Sequence, residues 1–121
     1  MPIETYRSLL VWKKSVDFVL KVYQLLGRFP KIEQYGLASQ MQRAAVSIPS
    51  NIAEGKERQS DRDFARFIAI ALGSLAELET QLLIAQKLGY LNEDDWQETT
   101  AQADEIGKML RSLHKTLSTA N

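Results

Sequence analysis

Leu37-Ala38-Ser39-Gln40-Met41-Gln42-Arg43-Ala44-Ala45-Val46-Ser47-Ile48-Pro49-Ser50-Asn51-Ile52-Ala53-Glu54-Gly55 is the stretch on which the fold turns. Pro49 lies inside it, where a proline removes one backbone hydrogen bond and its ring crowds the preceding turn. Helical phase separates a break from a kink. Met41, Ala45, Ile48 and Ile52 keep a single stripe on both sides of the proline. The stretch therefore reads as one kinked but continuous helix over residues 37–54, closed by Gly55.

Working outward, residues 8–26 put Leu9, Trp12, Val16, Val19, Tyr23 and Leu26 on one stripe, and Leu10, Val11, Phe18, Leu20, Val22 and Leu25 widen it well beyond one face. Gly27 and Pro30 end that helix. The loop that follows carries Phe29 and Tyr35, two aromatics expected to pack over the bundle end. On the other side, Ser60 followed by Asp61 and Asp63 is an N-cap with acids in the positive first turn. It opens a third helix over residues 61–88, with Phe64, Phe67, Ile68, Ala71, Leu75, Leu78 and Leu82 as its stripe and Gly89 as its stop. Asn92, with Glu93, Asp94 and Asp95, caps a fourth helix over residues 93–117, whose stripe is Trp96, Ala103, Ile106, Leu110, Leu113 and Leu117. Residues 118–121 are expected to fray. No stretch alternates with a two-residue period. Four helices with short connections predict one all-α domain over residues 1–121, an antiparallel up-down-up-down four-helix bundle.

Composition narrows the function. Hydrophobic residues make up 45%, too many for a disordered chain. No apolar run approaches the roughly 20 residues of a membrane span, and Met1-Pro2-Ile3-Glu4 lacks the basic-then-apolar pattern of a secretory signal. With no cysteine there is neither a disulfide framework nor a thiolate site, and a cytoplasmic location is the expectation. Net charge is zero, which argues against a generic polyanion binder. It is unevenly laid out, however. Residues 1–60 carry nine Lys/Arg and five Asp/Glu (+4), and residues 61–121 carry six and ten (−4). Such a layout suits self-association or a local basic surface.

Two polar sectors lie where apolar surface is expected. Gln40, Arg43, Ser47, Asn51, Glu54 and Arg58 share a narrow sector bordering the apolar stripe of the second helix. Ser74, Glu77 and Gln81, with Ile70, form another on the third helix, beside Ala69, Gly73 and Ala76. Three readings compete: a network inside the bundle with Arg43 paired to Glu54 or Glu77, a subunit interface, or a ligand or nucleic-acid contact. A mid-helix glycine costs about 1 kcal/mol relative to alanine, so Gly73 points to close approach by another element. The apolar belts of helices one and three exceed what one bundle hides, which favours self-association.

Nothing points to catalysis, a metal or a cofactor. The single His114 follows Arg111 by three residues, so the Glu-x-x-His pair of di-iron bundles is missing. Ser47, Ser50 and Ser74 have no neighbouring base, no glycine-rich phosphate loop is present, and Glu77 and Glu79 point apart on their helix. Were nucleic acid bound, the candidate contacts are Arg7, Lys13, Lys14, Lys21, Arg28 and Lys31, with Lys14 and Lys21 on one face.

The run from residue 36 to 55, together with Leu10-Val11-Trp12-Lys13-Lys14, Phe29-Pro30 and Ala71-Leu72-Gly73-Ser74-Leu75-Ala76-Glu77-Leu78-Glu79-Thr80, resembles bacterial four-helix-bundle proteins typified by those encoded in 23S ribosomal RNA intervening sequences. The resemblance covers residues 6–117. It implies a left-handed bundle assembled as a ring-like homopentamer, with no assigned biochemical activity in most members. That family also resembles the accessory variability protein of diversity-generating retroelements, which binds nucleic acid and a reverse transcriptase and is strongly basic, unlike this neutral chain. The expectation is therefore a non-catalytic homo-oligomeric scaffold or interaction protein. The alternative is an RNA- or DNA-binding accessory protein.

Overall fold

Helix starts follow the caps. The computed structural model describes residues 5–119, and among them every regular element is helical. The helices are α1 (Leu10–Leu26), α2 (Leu37–Lys56), α3 (Asp61–Lys87) and α4 (Glu93–Thr119), with single 3-10 turns at Tyr6–Ser8 and Lys31–Glu33. Ser60 Oγ accepts from the Asp63 amide at 3.1 Å and opens α3; Asn92 Oδ1 does the same for Asp95 at 2.8 Å and opens α4. Gly89, at φ 82°, takes the left-handed turn after α3. The start of α1 is later than residue 8, because Leu9 is extended between the first turn and the helix. Ser118 and Thr119 remain helical instead of fraying; Ala120 and Asn121 lie outside the described residues.

α2 runs unbroken through Pro49, which is buried. It also runs through Gly55, correcting the expected stop. A Cβ at Gly55 would stand 2.6 Å from Phe67 Cβ and 2.9 Å from Phe64 Cδ1, so the glycine serves the close approach of α2 to α3.

The core is one cluster to which all four helices contribute. Phe18, Leu25, Met41, Ile48, Ile52, Ile68, Leu75, Leu78, Leu82, Ile106 and Leu110 are its largest fully buried side chains, each worth roughly 1.5–3 kcal/mol of transfer free energy. α1 packs on α2 and α4, and α3 packs on the same two. On α1 the core phase differs from the expected one. Val11, Ser15, Phe18, Val22, Leu25 and Leu26 face inward, while Tyr23 is exposed and Trp12, Val16 and Val19 lie half-buried on the flank. α1 is apolar on most of its circumference, so periodicity alone does not select the inner face. In the fold Lys14 and Lys21, on the Phe18 side of the helix, meet carboxylates of α4.

α3 also corrects the membrane expectation. By length and composition it is apolar enough to span a bilayer; 39% of its most apolar window is buried in the bundle core, and the rest of that window is not. At the loop end, Phe29 stacks on Tyr90 with ring centroids 5.1 Å apart. Glu33 ties the same end together, accepting from the Leu37 amide at 3.3 Å and from the Tyr90 hydroxyl at 2.8 Å. Tyr35, expected to join them, is instead 90% exposed.

Candidate functional site

α2 and α3 bring five of the polar-sector residues together. Gln40, Arg43, Ser47, Ser74 and Glu77, with Ala44 at the floor, line one open concavity of about 330 Å³. Helical spacing places them: Gln40, Arg43 and Ser47 succeed each other by one turn on α2, and Ser74 and Glu77 do so on α3. The two helices are joined there by a 2.8 Å bond between Ser47 Oγ and Ser74 Oγ. Asn51 supports it from the next turn, its Nδ2 donating to Ser47 O at 2.8 Å and to Ser47 Oγ at 2.9 Å. Glu54 stands outside this group, accepting from Arg58 Nη2 at 3.4 Å on the exposed surface.

The expected pairing of Arg43 with Glu54 or Glu77 is absent among the described residues. The carboxylate of Glu77 is held elsewhere, its Oε2 accepting from Gln81 Nε2 at 3.1 Å. Gln81 is 5% exposed, and its Oε1 has no hydrogen-bond partner among the described residues. Gln81 was legible only as a member of the polar sector; its anchoring role depends on burial, which spacing does not report. Gly73 has nothing within 4 Å of the position a Cβ would take, so no element among the described residues makes the close approach expected there.

The candidate nucleic-acid contacts divide into two sets. Lys14 pairs with Glu105; Lys21 pairs with Asp95 at 3.5 Å and Glu98 at 3.4 Å; Arg28 pairs with Asp95 at 2.8 Å. These three hold α1 and the turn after it against α4. Arg7, Lys13 and Lys31 are exposed, with no ion pair among the described residues, and lie on three separate elements. Asp95, which serves two cations, sits in the acidic run read as a helix cap; nothing in the sequence distinguishes it from Glu93 or Asp94.

Two groups are electrostatically displaced. Burial pushes the Glu79 carboxyl above its ordinary value, the nearby Asp104 adds to this, and Arg111 opposes it. The hydrogen bond to Glu33 raises the Tyr90 phenol, with desolvation and the Glu33 charge acting in the same direction. Among the described residues no three His, Asp or Glu side chains are grouped to hold a metal ion.

The family model of the 23S rRNA-intervening sequence protein matches residues 7–112. The chain belongs to that family. Among solved structures, a protein of unknown function from the S23 ribosomal protein family of Bacteroides thetaiotaomicron is similar to this chain at TM-score 0.82 and 27% identity, over 88% of this chain and 99% of that one. No curated protein matches the chain. The family assignment and the structural neighbour thus agree on the four-helix architecture, and the neighbour's own function is unknown.

Proposed function

We propose that this member of the family is a non-catalytic scaffold or interaction module that assembles with copies of itself in the cytoplasm. The observation that carries the reading is apolar surface left over after the core is filled. Leu20 is 59% exposed; beside it on α1 Tyr23 is exposed, and Val46 of α2, Ile70, Leu83 and Ile84 of α3, and Leu88 just after it are also exposed. Helix faces of this kind, on both sides of a bundle, are the material of subunit interfaces. Ring-like closure and a pentamer are the form that the family resemblance favours.

An up-down-up-down path belongs to the same reading. It is supported by the order of contacts: Lys14 meets Glu105 while Lys21 meets Asp95, and Ser47 meets Ser74 while Gly55 meets Phe64 and Phe67. The absence of catalysis rests on residue types: one histidine, no cysteine, and serines whose hydrogen-bond partners are other structural groups.

Light scattering of the full chain at micromolar concentration tests the assembly. A mass that is a multiple of the chain supports it, and Leu20→Glu or Tyr23→Glu is expected to lower that mass. A monomer in the unsubstituted protein overturns it. The nucleic-acid alternative has weaker support, because half of its candidate cations are already matched by carboxylates of α4.

A further inference from the structure

Hydrogen-bond accounting in the α2–α3 concavity leaves donors and one acceptor without partners. Ser47 and Ser74 have two hydroxyl protons between them, and their mutual 2.8 Å bond uses one. Ser47 Oγ also receives the Asn51 amide. Whichever serine donates to the other, the second O–H proton has no acceptor among the described residues. Arg43, on the same wall, offers a guanidinium with five N–H donors and no carboxylate partner among the described residues. Across from it Glu77 has one oxygen fixed by Gln81 and the other, Oε1, bonded to nothing among the described residues. Gln81 provides an independent sign. It is nine-tenths buried, directs its nitrogen at Glu77 and so holds that carboxylate in place, and its own oxygen has no donor among the described residues.

We propose that this concavity binds a small molecule carrying an oxyanion, carboxylate or phosphate, beside a donor group, ammonium or hydroxyl. Arg43 and the free serine O–H receive the oxyanion, through the charge-assisted bonds a guanidinium makes best. Glu77 receives the donor. Both groups are required, because an oxyanion alone meets the Glu77 charge with nothing to donate to it, and a bare cation meets that of Arg43. The volume, about 330 Å³, lies at the small end of ligand sites and suits a single metabolite-sized molecule. The concavity between α1 and α4 at Leu9, Leu10, Met109 and Leu113 is apolar, and in the one lined by Lys14, Asp17, Gln102 and Glu105 the cation is already paired with Glu105.

Isothermal titration of the full chain tests the site. The two-group probes are β-alanine, phosphoethanolamine and glycerol phosphate; the single-group probes are acetate, inorganic phosphate and methylammonium. At least one two-group probe is expected to bind below about 1 mM and about tenfold tighter than any single-group probe. Arg43→Gln is expected to lose about tenfold or more of that affinity, and Glu77→Gln to reduce a two-group probe to the level of its oxyanion alone. Lys13→Gln, distant from the concavity, leaves binding unchanged. Arg43 and Glu77 are exposed, Glu77→Gln keeps a side-chain oxygen to accept from the buried Gln81 amide, and circular dichroism verifies the fold. Absence of sub-millimolar binding by every two-group probe overturns the proposal, as does undiminished binding by Arg43→Gln. So does a change of assembly mass in Arg43→Gln without probe binding by the parent, which assigns the concavity to a second copy. A monomeric parent that binds a two-group probe leaves the site intact and removes only the assembly reading.

Discussion

Glu79 is the residue whose environment opposes its charge most clearly. It lies at the α3–α4 contact, partly desolvated and near Asp104, with Arg111 giving incomplete compensation. Its native carboxyl therefore holds its proton more tightly than in the unfolded chain. The linked stability is present below the ordinary glutamate value of 4.5 and is lost as pH rises through the raised native value. Glu79→Gln, neutral at every pH, is expected to melt higher than the parent at pH 7, with the gain shrinking as pH falls below the ordinary value. Thermal melts across pH 3–8 check this, and an equal gain at both ends contradicts the electrostatic account. At this scale the sequence was partly legible. The capping roles of Ser60 and Asn92 rest on local geometry, and both side chains make the expected bonds. The partners of Asp95 and Glu33 depend on which elements face each other, and local spacing contains no such information.

At the scale of the element, the glycines of α2 and α3 separate two physical reasons for lacking a side chain. Gly55 is closed in by Phe64 and Phe67, while Gly73 faces open space. Adding a methyl group at Gly55 forces the α2–α3 contact apart, and Gly55→Ala is expected to cost about 1–3 kcal/mol, as overpacked cores do. Gly73→Ala meets no atom of its own chain and gains helix propensity, so the isolated subunit should become more stable by about 1 kcal/mol. Urea melts read both changes. If Gly73→Ala is destabilised or its assembly mass falls, another copy packs on that face. Helix existence was legible throughout, because the 3.6-residue stripe of α2 continues across Pro49 and those of α3 and α4 follow recognisable caps. The phase of α1 was not. With Leu, Val and Trp on most sides, its inner face depends on how α1 packs against α2 and α4, which the local pattern does not report.

For the whole molecule, the opposite charges of the two halves have a use inside the bundle. The basic surplus of residues 1–60 and the acidic surplus of residues 61–121 meet where Lys14, Lys21 and Arg28 are matched by Glu105, Asp95 and Glu98. Charge asymmetry was visible in the sequence, but the cations it contains read equally well as a nucleic-acid surface until their partners are located. That ambiguity has a direct test. A cation neutralised by a neighbouring carboxylate releases few counterions from a polyanion, so the parent is expected to show no salt-sensitive gel shift with RNA or DNA at micromolar concentration. Replacing the acids in Asp95→Asn/Glu98→Gln/Glu105→Gln frees three cations on the α1–α4 side. That variant should bind more tightly at low salt, its log K falling with log salt by up to about 3 units per decade more than the parent's. It should also be less stable, since Lys21 and Asp95 are both largely shielded from water and lose their mutual compensation; circular dichroism establishes the temperature range in which it remains folded. If the parent already binds with a steep salt dependence and the variant adds nothing, Arg7, Lys13 and Lys31 form the working surface, and the pairs on α4 serve the bundle alone.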